Sequence, residues 1–337
     1  MDLPLIDISA FRTRDQSRMQ SIAREVDRAC RDVGFLVVGG HGIPQELFDR
    51  SFALTRRYFA RGHDEKLRDC SSSPDVFRGY ERMGTRYRDA GPAGKKVADY
   101  KEAYMISSPD FDAADRNQPV PRGFEGMYAP NIWPDEAAGD IAGFRTTFVE
   151  FYRAVDALAR TMNGVFAAAL QLPEDFFVPH FAGHASTCTW VNYPAQTVPP
   201  EPGQMRIPEH TDSTSLTVVV QDGSTHGLEI KTRDGKWIPV RSPEGAVVIN
   251  LGDLMAQWTN DRWVSTPHRV DNPPREIAMA NPRYSLCFFQ KPHVDASIEC
   301  LPTCTDAANP ARHAPIQAGA YIRQKMLRTR PQPSAAE

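Results

Sequence analysis

Apolar positions divide the chain into two textures. Up to about residue 172 they recur mostly at helical spacing. Residues 17–33 carry Met19, Ile22, Ala23, Val26 and Ala29 on one stripe, the three-to-four-residue repeat of an amphipathic helix. Residues 45–60 predict a second helix, and residues 144–172 a long third with almost no breaker before Leu172-Pro173. Residues 3–8 read as a short strand, and GFLVVGG at 34–40 as a buried strand closed by glycines. Residues 70–140 are polar and rich in Gly, Pro and Arg. They predict loops and short elements, a usual place for segments that face a substrate.

From Thr187 onward the period shortens. The runs TCTWVNY, SLTVVVQD, GLEIKT, KWIPV, AVVINL, WVSTPHRV, RYSLCFFQ and ASIECLP follow one another, most of them separated by Gly, Pro, Asp or Asn. Arg233-Asp234-Gly235 between two of these runs is a hairpin signal. About eight short strands in this arrangement predict a sandwich or jelly-roll barrel. Residues 316–327 predict one more short helix. The expected class is α+β with a mainly β core, in one catalytic domain over 1–337. A helical and strand region at 1–172 packs on a β core at 185–300, with a C-terminal helix at 315–330.

Composition narrows the partners. A net charge of −3 over 337 residues gives no electrostatic reason to expect nucleic acid or an anionic membrane. No stretch approaches the ~20 apolar residues of a membrane helix. The start, MDLPLIDISAF, lacks the basic-then-apolar order of a signal peptide. Six cysteines at 30, 70, 188, 287, 300 and 304 form no CxxC pair and read as reduced thiols in a cytosol. A cytoplasmic monomer or weak homodimer acting on a small molecule is expected.

His210-Thr211-Asp212 places an imidazole and a carboxylate two residues apart. On an extended chain such residues share a face and can grip one cation. A third ligand must come from a distant strand, and His268, 58 residues after His210, is well placed. Two His and one carboxylate make a facial triad with open positions, as in non-haem Fe(II) oxygenases. An HxD pair alone is common, and a lone His is more often structural. His41, His63, His180, His184, His226, His293 and His313 are read that way.

A second motif adds weight. Arg283 and Ser285 alternate on one face of the run from 283 to 290, followed by Cys287 and Phe289. An Arg pointing into an apolar barrel needs an anion, because an unpaired buried charge is very costly. Guanidinium plus hydroxyl suits a carboxylate, although an internal Asp or Glu would serve as well. Cys287 and Phe289 then either line a substrate pocket or fill the barrel core. Arg78, Arg82, Arg86, Arg88 and Lys101 could meet an acidic substrate, but a solvated charged face is the more ordinary reading.

HTDSTSLTVVVQD, WVSTPHRV and PRYSLCFFQKP together resemble the isopenicillin N synthase-like family of Fe(II)/2-oxoglutarate dioxygenases. LPLIDISAF, GFLVVGGHGIPQELFD, KEAYMIS, NLGDLMAQWTNDRWVSTPHRV and AGAYIRQKM have family counterparts too, so the likeness covers nearly the whole chain. The resemblance implies a distorted double-stranded β-helix and Fe(II) on His210, Asp212 and His268. It implies 2-oxoglutarate held at its distal carboxylate by Arg283 and Ser285, with Tyr193, and less securely Asn192, contacting the co-substrate. It implies O₂ as the other co-substrate, succinate and CO₂ as co-products, and hydroxylation, desaturation or cyclisation of a small molecule in specialised metabolism. Same-fold oxidases that use no 2-oxoglutarate, the ascorbate-using ethylene-forming oxidases and non-catalytic binding proteins stay open here. A zinc hydrolase is disfavoured by the Arg283/Ser285 pair and the absence of an HExxH helix.

Overall fold

The computed structural model describes residues 3–89, 96–113, 119–138, 140–223 and 227–329. In chain order the first elements are β1 (Leu5–Asp7), α1 (Ser9–Thr13), α2 (Gln16–Asp32), β2 (Phe35–Gly39), α3 (Gln45–Ala60) and α4 (His63–Leu67). Then come β3 (Gly79–Glu81), β4 (Tyr87–Asp89), β5 (Lys96–Ala98), β6 (Glu102–Ser107), α5 (Phe144–Ala169) and β7 (Thr187–Tyr193). The second half holds β8 (Ile207–His210), β9 (Leu216–Gln221), β10 (Leu228–Lys231), β11 (Trp237–Pro239), β12 (Val247–Leu251) and α6 (Asp253–Trp258). It ends with β13 (His268–Val270), α7 (Arg275–Ala280), β14 (Arg283–Gln290), β15 (Ser297–Ile298), β16 (Ile316–Gln317) and α8 (Ala318–Arg328).

Two sheets make the jelly roll. The major sheet runs β1-β2-β12-β9-β14-β7-β6-β3, and the minor sheet β11-β10-β13-β8. Alternation along each central strand separates two apolar faces. Cys188, Trp190, Val218, Ile249, Leu286 and Phe288 point outward into the large core shared with α2, α3 and α5. Trp190 stacks on Phe148 of α5, ring centroids 3.7 Å apart. On the inner face Phe35, Val219 and Val248 meet Leu228 and Ile230 of the minor sheet, with Cys287 packed beside them. The inner face stays thin and partly polar, and that leaves room for a site.

The long helices and the Arg233–Gly235 hairpin form as the pattern predicts, and Gly235 takes φ +82° in the turn joining β10 to β11. Gly34 is needed where α2 reverses into β2. Its φ is +67°, and a Cβ there would lie 2.1 Å from the Val264 carbonyl oxygen.

Local details go beyond the pattern. The stretch 70–140 holds loops and short elements as expected, and one of those elements, β6, is a wholly buried member of the major sheet. Its Glu102, hidden among apolar strands, is tolerated because Lys66 donates to it at 2.9 Å. β8 escaped notice because Pro208 and Glu209 break its pattern, and Pro suits it because β8 is a sheet edge. WVSTPHRV supplies a strand only at His268–Val270, and α6 and α7 are short helices for which the pattern makes no prediction.

Candidate metal centre and adjoining cavity

The minor sheet brings the histidines together. In the β8–β13 ladder His210 and His268 are direct partners, and their ring centroids stand 4.2 Å apart. Asp212 lies two residues past the end of β8, so the loop rather than strand alternation aims its carboxylate. That loop is held by α6: the Asp253 amide donates to the Asp212 carbonyl at 2.8 Å. Gly252 allows the approach, since a Cβ there would meet the Thr214 carbonyl oxygen at 2.1 Å.

One ligand atom from each of His210, Asp212 and His268 lies within 4.8 Å of the others. The surrounding hydrogen bonds prepare each donor. Nδ1 of His210 faces the Pro208 carbonyl at 2.9 Å, and Nδ1 of His268 faces the Thr266 carbonyl at 3.0 Å. With each Nδ1 turned to a backbone carbonyl, Nε2 is the ring nitrogen directed toward the carboxylate. Those Nε2 atoms sit 3.9 and 3.8 Å from Asp212 oxygens. Thr217 and Asn250, neighbours across the β9–β12 ladder, both donate to Asp212 Oδ2, at 2.7 and 2.8 Å. Two imidazoles presenting Nε2 and one oriented carboxylate suit a divalent first-row metal, and the donor set fits Fe(II).

Arg283 enters the same inner face. It is only 3% exposed, and its Nε and Nη1 have no hydrogen-bond partner. Among the described residues it has no acidic partner, so the internal carboxylate that would make it structural is missing. Its guanidinium lies 5.0 Å from the Tyr193 ring. Burial pushes the Tyr193 phenol up to about 12, with the Arg283 charge opposing, so it stays a neutral hydrogen-bonding group. Ser285 follows on the same face, its Oγ 3.8 Å from Cys287 Sγ.

A cavity of about 430 Å³ opens beside the triad. Tyr193, Cys287 and Phe289 line it with His210 and Asp212, as the alternation of β14 and β7 requires. Asn192 is a correction. It is on the opposite face of β7 from Tyr193 and donates to Glu102 at 2.8 Å inside the core. A one-residue step along a strand turns a side chain to the other face. Asn192→Ala is expected to cost about 1–3 kcal/mol by unpairing a buried amide contact. The KM for 2-oxoglutarate should stay at the wild-type value. Denaturant unfolding beside a co-substrate titration checks both, and a raised KM would return Asn192 to the site.

The basic segment is also corrected. Arg82 is exposed, but Arg78 is buried and donates to the Phe77 and Met127 carbonyls. Arg86 and Lys101 line the cavity and share Glu81, at 2.7 and 3.0 Å. Burial pushes the Glu81 carboxyl up, yet those two cations outweigh it and hold it at about 2. The Arg88 side chain and His226 lie outside the described residues. Of the histidines read as structural, His184 pairs with Asp156 and His41 with the Gly245 carbonyl.

Sequence reasoning passed over two buried cations. Arg206, 2% exposed, stands 5.7 Å from the Tyr193 ring. Its signal was an arginine flanked by Met205 and Ile207. Lys291 lines the cavity, and following the β14 alternation one step past Phe289 would have found it.

Residues 3–136 match a family model described as non-haem dioxygenase in morphine synthesis N-terminal, and residues 185–292 match the 2OG-Fe(II) oxygenase superfamily. The chain is 31% identical over 322 residues to a 2-oxoglutarate-Fe(II) type oxidoreductase of Emericella nidulans, covering 95% of this chain and 88% of the relative. It is 30% identical over 337 residues to a proline hydroxylase of Petromyces alliaceus, covering 98% and 100%. A full-length Neurospora crassa protein crystallised with alpha-KG and thymine superimposes with a TM-score of 0.82, at 27% identity over 96% of each chain.

Proposed function

Because the chain belongs to the 2OG-Fe(II) oxygenase superfamily and is a 2-oxoglutarate-dependent dioxygenase, we propose that His210, Asp212 and His268 hold its Fe(II) and that Arg283 and Ser285 anchor 2-oxoglutarate. The observation that carries this reading is a buried guanidinium with no acidic partner among the described residues, on the major sheet of the same jelly roll whose minor sheet carries an intact His/Asp/His set. When bound, Fe(II) with 2-oxoglutarate and O₂ supplies the oxidising chemistry, in which the co-substrate becomes succinate and CO₂ while a substrate C–H bond is oxidised.

The chain's own residues do the positioning. Arg283 has two free N–H directions and Ser285 a hydroxyl, enough for both oxygens of one carboxylate. Tyr193 stacks beside Arg283 and restrains its plane. Thr217 and Asn250 keep Asp212 from swinging away from the two imidazoles. Lys325 of α8 donates to Thr211 and to Asp253, and Met326 lines the cavity, so α8 closes one side against water. The substrate is a small molecule that fits the 430 Å³ space and touches Cys287 and Phe289. The six unpaired thiols support a reducing, cytoplasmic setting. Among the described residues no helix is long and apolar enough to cross a membrane.

A succinate-release screen over amino acids, peptides, alkaloids and terpenoids, with mass-spectrometric product analysis, tests the reading. An iron-loaded protein that never turns 2-oxoglutarate into succinate would refute it. On the acceptor found, Cys287→Phe is expected to suppress product while sparing slow substrate-free succinate release. If Cys287 is instead a packing residue, the variant loses about 1–3 kcal/mol through overpacking. Its coupling of succinate to product would then be unchanged, and the pocket assignment falls.

A further inference from the structure

The cavity wall carries four cations, and three have acids. Arg86 and Lys101 share Glu81, and Lys325 sits on Asp253. Lys291 is the exception. It is 7% exposed, and its Nζ has one hydrogen bond, to Thr187 Oγ1 at 3.1 Å. No acid within ion-pair distance is found among the described residues. Its charged neighbours are Arg78 and Arg86, which repel it. Burial, with those charges added, pulls the Lys291 ammonium down to about 7. A buried cation in that position is costly unless an anion arrives.

Its place along the wall is informative. The inner face of β14 reads Arg283, Ser285, Cys287, Phe289, and Lys291 continues it. Phe289 is opposite Thr217, the residue that donates to Asp212, so Phe289 is level with the metal ligands. Arg283 and Lys291 therefore lie on opposite sides of that level. Lys291 stands roughly 7 Å beyond it, at about 3.3 Å per extended residue. One buried cation without an acidic partner among the described residues precedes the metal level, behind Tyr193, and a second, Lys291, follows it on the cavity wall.

Building on the proposed co-substrate site, we infer that Lys291, with Thr187 beside it, receives a carboxylate of the primary substrate, so that the enzyme acts on organic acids rather than on neutral small molecules. The substrate carboxylate supplies the counter-charge that the wall lacks. The Lys291–Thr187 pair offers an N–H and a hydroxyl to its two oxygens. The apolar remainder then lies along Phe289 and Cys287 toward the metal ligands.

Hexanoate and hexanamide serve as probes, because they share a shape and differ in charge. Ligand-observed NMR titrations on the full-length protein, carrying Mn(II) and one equivalent of 2-oxoglutarate, measure both. Hexanoate is expected to bind at least about tenfold tighter than hexanamide, the value of one charge-assisted hydrogen bond. Lys291→Met should remove that preference, and Lys291→Arg should keep most of it. The Kd of 2-oxoglutarate should stay within about twofold in both variants, because the co-substrate anchor is elsewhere. Hexanoate binding no tighter than hexanamide in the wild type overturns the inference without need of any variant. So does a folded Lys291→Met protein that keeps the preference. Failure of the wild type to bind 2-oxoglutarate would instead strike the co-substrate reading on which this one rests.

Discussion

His268→Ala is expected to abolish iron binding and turnover while the protein remains folded. In the proposed site His268 is one of three protein donors, and losing even a residue that orients a ligand commonly costs 10- to about 100-fold in metal affinity. Loss of the ligand itself should exceed that range. The fold should survive because the ring contacts of His268 are an edge contact with Phe35, centroids 5.4 Å apart, and one with the ring of His210 at 4.2 Å, and neither is part of the large apolar core. His210 and Asp212 keep their own supports, from the Pro208 carbonyl and from Thr217 and Asn250. The measurement is iron content after anaerobic Fe(II) loading, with succinate release and the thermal midpoint on the same preparation. Near-normal succinate release by this variant would sink the ligand assignment.

Arg283→Lys keeps the charge and loses the planar fork. Arg283 stands against Tyr193 with Nε and Nη1 both open, a geometry that a single ammonium cannot reproduce. Losing one charge-assisted hydrogen bond, about 1.5–3 kcal/mol, predicts a rise in the 2-oxoglutarate KM of about 10- to 100-fold. Iron content should not move, since no metal ligand touches the guanidinium in the observed hydrogen-bond network. Titration of 2-oxoglutarate against wild type and variant decides it, and superimposable curves would mean that another residue is the anchor. Arg206, on the same tyrosine, would then be the first to examine. Burial and the Arg283 charge pull its guanidinium down to about 10, which leaves it cationic at neutral pH.

The inner and outer faces of β14 follow from one alternation, and they were legible before any coordinates. The same reasoning placed Arg283, Ser285, Cys287 and Phe289 on one wall. It stopped one step short of Lys291, which lies beyond the apolar run that marks the strand. Asn192 shows the opposite error. A resemblance carried it to the co-substrate, but its parity relative to Tyr193 puts it in the core with Glu102. The basic residues after Arg78 misled because composition reports charge and not its partner. Glu81 lies within the same segment, and only the folded chain brings it against Arg86 and Lys101.

By itself, the sequence determined the strand and helix periods, the two apolar faces of the major sheet, and the identity of the three metal-ligand candidates and the Arg283/Ser285 pair. These are local properties: a period of two or of 3.6, or a costly charge inside an apolar run, can be read without knowing what lies opposite. The tertiary structure decided everything that depends on a partner distant in sequence. It set His210 opposite His268 across two edge-region strands, clamped Asp212 with Thr217 and Asn250, and balanced Arg86 and Lys101 on Glu81. It also left Arg283 and Lys291 without acidic partners among the described residues, one on each side of the metal level. Whether a buried charge is satisfied is a property of the space around it, and that space exists only once the sheets have closed.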